Sequence, residues 1–532
     1  MPVQRTLSME AGITMSSFKT KWVLASLLCA VTVTLWLRSS VAFRDDHGRI
    51  GEVGANERLV SQFVWQAMER GHLSKRHVDD EISARAFDTY LKSLDPGKMY
   101  FRKSDISEFS ALRTQLDDQL KARDYSAAFQ IFNRFVQRVD QQTELAYELI
   151  GAKQDFSVDE EMNIDPKLAD YANSDAEARE ILRKQIKYNL LALRASEGDK
   201  SDATKADPQE ILHKRFRSFA RRAHQMDSEN VIEQYITSIT SSFDPHTSYM
   251  SRGSFDNFMI HMNLELDGIG ATLQGSDDGY TVIKRLVPGG AAANQGGLKT
   301  DDKIVAVAQG NERGENADPA LLSEYGSDFV DVAGMRVDDL VEMVRGKAGT
   351  VVRLSVMSGD NSGLHTVSVA REKVKLEDQA ARGAIFEDGK KPDGSPNKIG
   401  VVELPMFYSG MSDDGNGRST TTDVRRILDD FNDKNVDALV LDLRTNGGGS
   451  LKEAIDCTGL LIDAGPVVQV KDSSGRIEVL NDTDRGVAWT KPMVVLTSKF
   501  SASASEILAG AIQDYQRGLV IGDTATHGNR IR

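Results

Sequence analysis

Ala438-Leu439-Val440-Leu441-Asp442-Leu443-Arg444-Thr445-Asn446-Gly447-Gly448-Gly449 is the stretch that decides how this chain folds. Its first six residues read as a buried strand, three consecutive glycines follow, and 451–461 carries the period of a helix. The same order recurs around it. Strands are expected at 399–404, 493–497 and 519–522, and helices at 423–431 and 505–515. Such alternation predicts a largely parallel sheet covered on both faces. In these sheets chemistry gathers where strands end and helices begin. The glycine run occupies one such junction, and Ser501-Ala502-Ser503-Ala504-Ser505-Glu506-Ile507 occupies another.

Each junction also has a plain reading. Ser503 and Glu506 fit the Ser-x-x-Glu capping box, and most serines so placed only cap a helix. A serine there also sits at the positive end of the helix dipole, which favours developing negative charge. The glycine run could be a simple turn or a phosphate loop, but no Gly-Lys-Ser/Thr follows it. Aimed at an oxyanion, its backbone N–H groups would each be worth about 3–4 kcal/mol.

Working outward, residues 262–372 change to short β-rich runs with glycine turns. Gly268-Ile269-Gly270-Ala271 enters a strand, 280–286 and 301–307 follow, 335–344 is an amphipathic helix, and 351–356 closes the set. This order resembles a PDZ domain of the circularly permuted bacterial type. The resemblance implies that Gly268, Ile269, Gly270 and Ala271 offer backbone N–H groups to a chain-terminal carboxylate, with the peptide added as an extra strand. Residues 50–240 read as helical, from three- and four-residue spacing in Phe129, Phe132, Phe135, Val136 and Val139. A polar break is expected at 199–209.

At the N-terminus, Lys19 and Lys21 precede the apolar run 22–37 and the small residues Ser40-Val41-Ala42. That is the order of a secretory signal over 1–42, with Met15 a candidate start and an uncleaved membrane anchor the alternative. Export to the periplasm is expected. The 532 residues imply three or four domains, and a net charge of −14 argues against a nucleic-acid partner. Cys29 and Cys457 are the only cysteines, which excludes a disulfide framework and makes Cys457 a core residue. No His-Glu-x-x-His occurs, and neither metal nor organic cofactor is expected.

The two junction motifs, with Phe243-Asp244-Pro245-His246-Thr247-Ser248-Tyr249 and the PDZ-like region, resemble the tail-specific or carboxy-terminal processing proteases. The larger periplasmic type fits, and the likeness covers nearly everything after residue 50. The fold it implies is multidomain α+β: a helical N-terminal domain at 50–240, a PDZ domain at 262–372 and an α/β serine protease core at 380–532. It also implies Ser503 as nucleophile, Asp514 of the Gln513-Asp514 pair in support, and oxyanion donors at Gly447 and Gly448. The family's general base is a lysine two residues beyond the position of His527, and here Asn529 stands there. An amide cannot take the serine proton. The family's downstream glutamine and C-terminal domain do not follow, so a truncated or frameshifted reading frame is expected. His527 and His246, the latter near Asp244, are weaker candidates for a Ser-His arrangement. Asp-Pro-His-Thr reads first as a structural turn. The expected ligands are polypeptides with apolar C-terminal tails, an adaptor is left open, and the opposing reading is a tail-binding protein without catalysis.

Overall fold

Among the described residues, amphipathic spacing in the first half of the chain gives nine helices: α1 (Ala55–Gly71), α2 (Asp80–Leu94), α3 (Lys103–Phe109), α4 (Leu116–Ala122), α5 (Ser126–Gly151), α6 (Asp175–Ser196), α7 (Pro208–His224), α8 (Ser228–Thr240) and α9 (Arg252–Asn263). The computed structural model describes residues 53–528 apart from 164, 166–167, 197–206, 277, 312, 314, 360–362, 411–417 and 473. The expected signal segment 1–42 and Asn529 therefore lie outside the described residues. Most of these helices bury one stripe, and α9 buries no residue fully. Phe87, Tyr90, Phe132, Tyr235 and Ile236 meet in one core, and Ile150, Leu182, Ile186 and Leu212 in a smaller second one. Pro208 opens α7 at its first turn, where its missing N–H costs nothing, and Asp207 caps that helix.

A short ribbon separates this region from the next. β1 (Glu265–Gly268) pairs antiparallel with β8 (Glu372–Lys375), so chain entry and exit run side by side. Between them lie β2 (Ala271–Gly275), β3 (Thr281–Leu286), α10 (Ala291–Gln295), β4 (Lys303–Gln309), α11 (Pro319–Tyr325), β5 (Val330–Asp331), α12 (Val337–Val344), β6 (Val351–Met357) and β7 (Leu364–Ala370). The sheet order is β2-β3-β4-β6-β7, with β5 on β4. In β6 alternate residues Val352, Leu354 and Val356 point inward, as a half-buried strand requires. They meet Leu340, Met343 and Val344 of α12 in the PDZ core. β2 is an outer strand, and α12 runs beside it.

The last region comprises β9 (Arg382–Asp388), β10 (Asn397–Glu403), α13 (Thr420–Asp433), β11 (Ala438–Asp442), α14 (Leu451–Gly459), β12 (Gly465–Lys471), β13 (Ile477–Asp482), β14 (Met493–Leu496), α15 (Ala504–Asp514) and β15 (Leu519–Ile521). Its five-stranded sheet runs β15-β14-β11-β10-β9. The four expected strands are parallel, and β9 adds an antiparallel edge that the pattern did not announce. The separate β12–β13 ribbon was also unread. α13 lies close over the sheet edge: a Cβ at Gly400 would come within 2.4 Å of the Phe431 ring. Cys457 is fully buried, and burial pushes its thiol up to about 12.

Candidate active site

The loop after β11 and the turn before α15 are stitched together by serine hydroxyls. Ser501 Oγ donates to Leu443 O at 2.7 Å, and Ser505 Oγ donates to Asn446 O at 2.9 Å. Ser498 Oγ reaches Arg444 O at 2.5 Å, and Ala502 N–H reaches Asn446 O at 3.2 Å. Both Ser501 and Ser505 are fully buried, while Ser503 between them is exposed. The alternating serines thus divide their work: the outer two lock the loops and the middle one faces outward. That division was open to reading from the two-residue spacing, and only Ser503 was singled out.

Ser503 has φ +51° and ψ −114°. A helix-capping serine normally sits in the extended region, as Ser251 and Ser419 do here. A positive φ on a residue with a Cβ is strained and is held only by its surroundings. The surroundings are visible. Glu506 Oε2 accepts the Ser503 N–H at 2.8 Å, and Gly448 presses against the turn. A Cβ on Gly448 would lie 2.8 Å from Ser503 Cβ and 2.9 Å from Ala502 O. Gly448 also has φ +109°. Glycine is required there for both close approach and dihedral.

The candidate oxyanion donors separate on inspection. Gly448 N–H is already donated to Asn446 Oδ1 at 2.8 Å, so this residue supplies space and not a donor. Asn446 is itself fully buried and anchored by its Nδ2 on Leu404 O at 2.9 Å. Gly447 is exposed, and its N–H has no acceptor among the described residues. Ala504 N–H, the first of α15, has no intrahelical acceptor and none elsewhere among the described residues. Ala504 was not singled out in the sequence. Its signal was its place immediately after the serine at a helix start.

Glu506 organises the far side. Its side chain is 6% exposed, and Oε1 accepts Thr526 Oγ1 at 2.7 Å and Gly528 N–H at 2.9 Å. Burial alone would raise its pKa. Hydrogen bonds from Thr526, Gly528 and Ser503, with the His246 ring 3.8 Å away, outweigh it and hold the carboxyl below its ordinary value. One carboxylate thus ties the serine turn to 526–528, the segment that leads into position 529.

The expected support from Asp514 is not brought to Ser503, and neither are the weaker histidine candidates. Asp514 is exposed at the opposite end of α15, about 16 Å from Ser503 along the helix at ~1.5 Å per residue. The helix that carries both residues keeps them apart. Asp244 accepts the N–H groups of His246 and Thr247 at 2.7 and 2.8 Å, and His72 Nε2 lies 2.7 Å from its other oxygen. It is committed to a turn, as first read, and is not oriented on the His246 ring. His527 Nε2 is 3.1 Å from Pro245 O, and its ring meets His246 edge-on at 5.6 Å. Neither histidine is hydrogen-bonded to Ser503 among the described residues.

In the PDZ region, Ile269 O accepts Ala292 N–H and Gly270 O accepts Val287 N–H, each at 2.8 Å. In a planar trans peptide the following N–H points the opposite way. Gly270 and Ala271 therefore direct their N–H groups away from α10 and β3. Gly270 reaches this geometry at φ +75°. Ile269 is buried in the core, so it contributes backbone alone, and Gly268 ends β1. The loop opens onto β2, whose outer edge lies beside α12.

The fold is that of a helical region, a PDZ-like sheet and an α/β core that carries the serine turn. Three family descriptions match: the tail-specific protease N-terminal domain over 64–252, the PDZ domain over 257–357, and peptidase family S41 over 398–531. A tail-specific protease of Haemophilus influenzae is 35% identical over 474 residues, 89% of this chain and 63% of that protein. The chloroplastic carboxyl-terminal-processing peptidase 2 of Arabidopsis thaliana is 30% identical, over 58% of this chain and 55% of the relative. The PDZ domain of a Vibrio cholerae carboxy-terminal protease, solved with a peptide, is 39% identical over 21% of this chain and 99% of its own, with a TM-score of 0.17. In all three regions the chain is similar to the tail-specific protease family. It spans less than two thirds of the length of these curated relatives.

Proposed function

We propose that this chain carries the machinery of a serine endopeptidase that holds the C-terminal tails of polypeptides in its PDZ domain and attacks them through Ser503. The observation that supports it most is the exposed Ser503 at φ +51°, next to the Ala504 N–H at the helix start, which like that of Gly447 has no acceptor among the described residues. Such donors stabilise a developing oxyanion, and the strained turn leaves Ser503 exposed at the start of the helix. The PDZ loop at 268–271 and the outer edge of β2 suit a tail carboxylate and an added strand. The tails are apolar, and no nucleic acid is a partner of a chain with net charge −14. Residues 1–42 direct export to the periplasm.

Catalysis turns on position 529. A lysine made neutral by burial can take the serine proton, and the amide of Asn529 cannot. That residue favours a second reading, in which the chain as it stands binds tails without cutting them. Asn529→Lys should introduce cleavage of an unfolded reporter ending in an apolar tail, and Ser503→Ala in that background should abolish it. Cleavage that survives Ser503→Ala would overturn the assignment of the nucleophile.

A further inference from the structure

The PDZ groove does not end in open solvent. β2 ends at Gly275, and a Cβ there would lie 3.2 Å from Val337 Cγ2 at the start of α12. Both ends are tied to the helical region: Arg221 Nη1 donates to Ser276 O at 2.9 Å, and Arg336 pairs with Asp227. Next to these ties is a cavity of about 850 Å³, whose lining includes Val337, Met226, Asn230, Thr237, Ser248 and Tyr249. Val337 therefore borders both the groove and the cavity.

A tail whose carboxylate sits at 268–271 runs antiparallel to β2, so its upstream residues leave past Gly275 and Val337. β2 has five residues, and pairing with it uses about the last five residues of a tail at ~3.4 Å each. Whatever precedes them meets the cavity. The wall there suits extended peptide, since its amides and hydroxyls, with the charged Arg222, Glu233, Arg336 and Asp338 among them, can pair with a backbone while Met226, Tyr249 and Val337 take side chains.

The wall also leads to the serine. Ser248, Tyr249 and Met250 line the cavity, and they directly follow the Asp244–Thr247 turn. His246 of that turn lies 3.8 Å from Glu506, which holds the Ser503 N–H.

We propose that this cavity is a second binding site for substrate polypeptide, taking the extended segment upstream of the PDZ-held tail on its way to Ser503. The proposal rests on tail capture by the PDZ loop. It assigns the helical region a share in substrate recognition, through Met226, Asn230, Thr237, Ser248 and Tyr249.

The test measures anisotropy of two labelled peptides on the full chain. Both end in the same five apolar residues with a free carboxylate, one five and the other twelve residues long, the extension being uncharged. The longer peptide should bind about tenfold more tightly. Ser248→Trp, an exposed site whose bulk narrows the cavity, should remove most of that gain and leave the five-residue affinity unchanged. Equal affinities for the two lengths in the unaltered chain would overturn the proposal, as would a gain that Ser248→Trp leaves intact. A five-residue acid that fails to bind, or binds no better than its amide, would overturn tail capture itself and this site with it.

Discussion

Ser450 and Ser503 start helices in the same sheet region with the same pattern, Ser-x-x-Glu, and adopt opposite conformations. Ser450 has φ −63° and ψ 123°, and its hydroxyl accepts the Glu453 N–H at 3.3 Å in the ordinary way. Ser503 has φ +51° and ψ −114°. The acids differ as well. Glu453 turns away to accept the N–H and hydroxyl of Thr421, at 2.9 and 2.7 Å, whereas Glu506 turns back to the Ser503 N–H. The pattern says that a helix begins. What the preceding turn does depends on which backbone is pressed against it, and only Ser503 has Gly448 there.

The largest effect should come from the glycine loop that enforces this contrast. Gly449 sits at φ +137°, and a Cβ there would be 2.2 Å from Phe407 O. Gly449→Ala should cost about 3 kcal/mol or more, read from denaturant unfolding. A loss below 1 kcal/mol would mean that the loop yields and does not hold the serine turn.

The two serines should then respond with opposite signs. Ser503→Gly should stabilise by about 1 kcal/mol, since glycine accepts positive φ without strain. Ser450→Ala should destabilise by about 1 kcal/mol through loss of a cap. Matching signs would dissolve the distinction drawn between them.

Acid should weaken the Ser503 turn through Glu506. Its native carboxyl lies below the ordinary value near ~4.3, so the charged form is the one that stabilises the fold. That contribution is complete above the ordinary value and fades as pH falls through the lower native one. The thermal midpoint of the unaltered chain should exceed that of Glu506→Gln at pH 6, and the gap should close in acid. A gap independent of pH would show that shape and not charge is what Glu506 supplies. The smallest effect is expected at the other end of α15, where Asp514→Asn should change stability by no more than ~0.5 kcal/mol and leave peptide binding untouched. A large loss of either would return Asp514 to the site.

Legibility followed burial. β11 and β14 bury alternate residues and were read directly, and α15 was placed within one residue of its observed bounds. β9 exposes nearly every side chain, and so does most of β13. Neither carries an apolar period, so neither could be found from spacing. The PDZ loop was legible as glycines in order, but the direction of its N–H groups depended on the two carbonyls held by Ala292 and Val287. Gly447 and Gly448 were indistinguishable as letters, and a buried asparagine amide separates their roles.

By itself the sequence determined the three-part layout, the strand–helix alternation and the serine and glycine junctions, because hydrophobic period and turn chemistry act over a few residues. Tertiary structure alone decided the positive φ of Ser503, the Gly447 and Ala504 donors that have no acceptor among the described residues, and the distance that keeps Asp514 away. Those depend on segments far apart in the chain being brought within hydrogen-bonding reach, as Ser505 and Asn446 are at a separation of 59 residues, and no local pattern encodes such contacts.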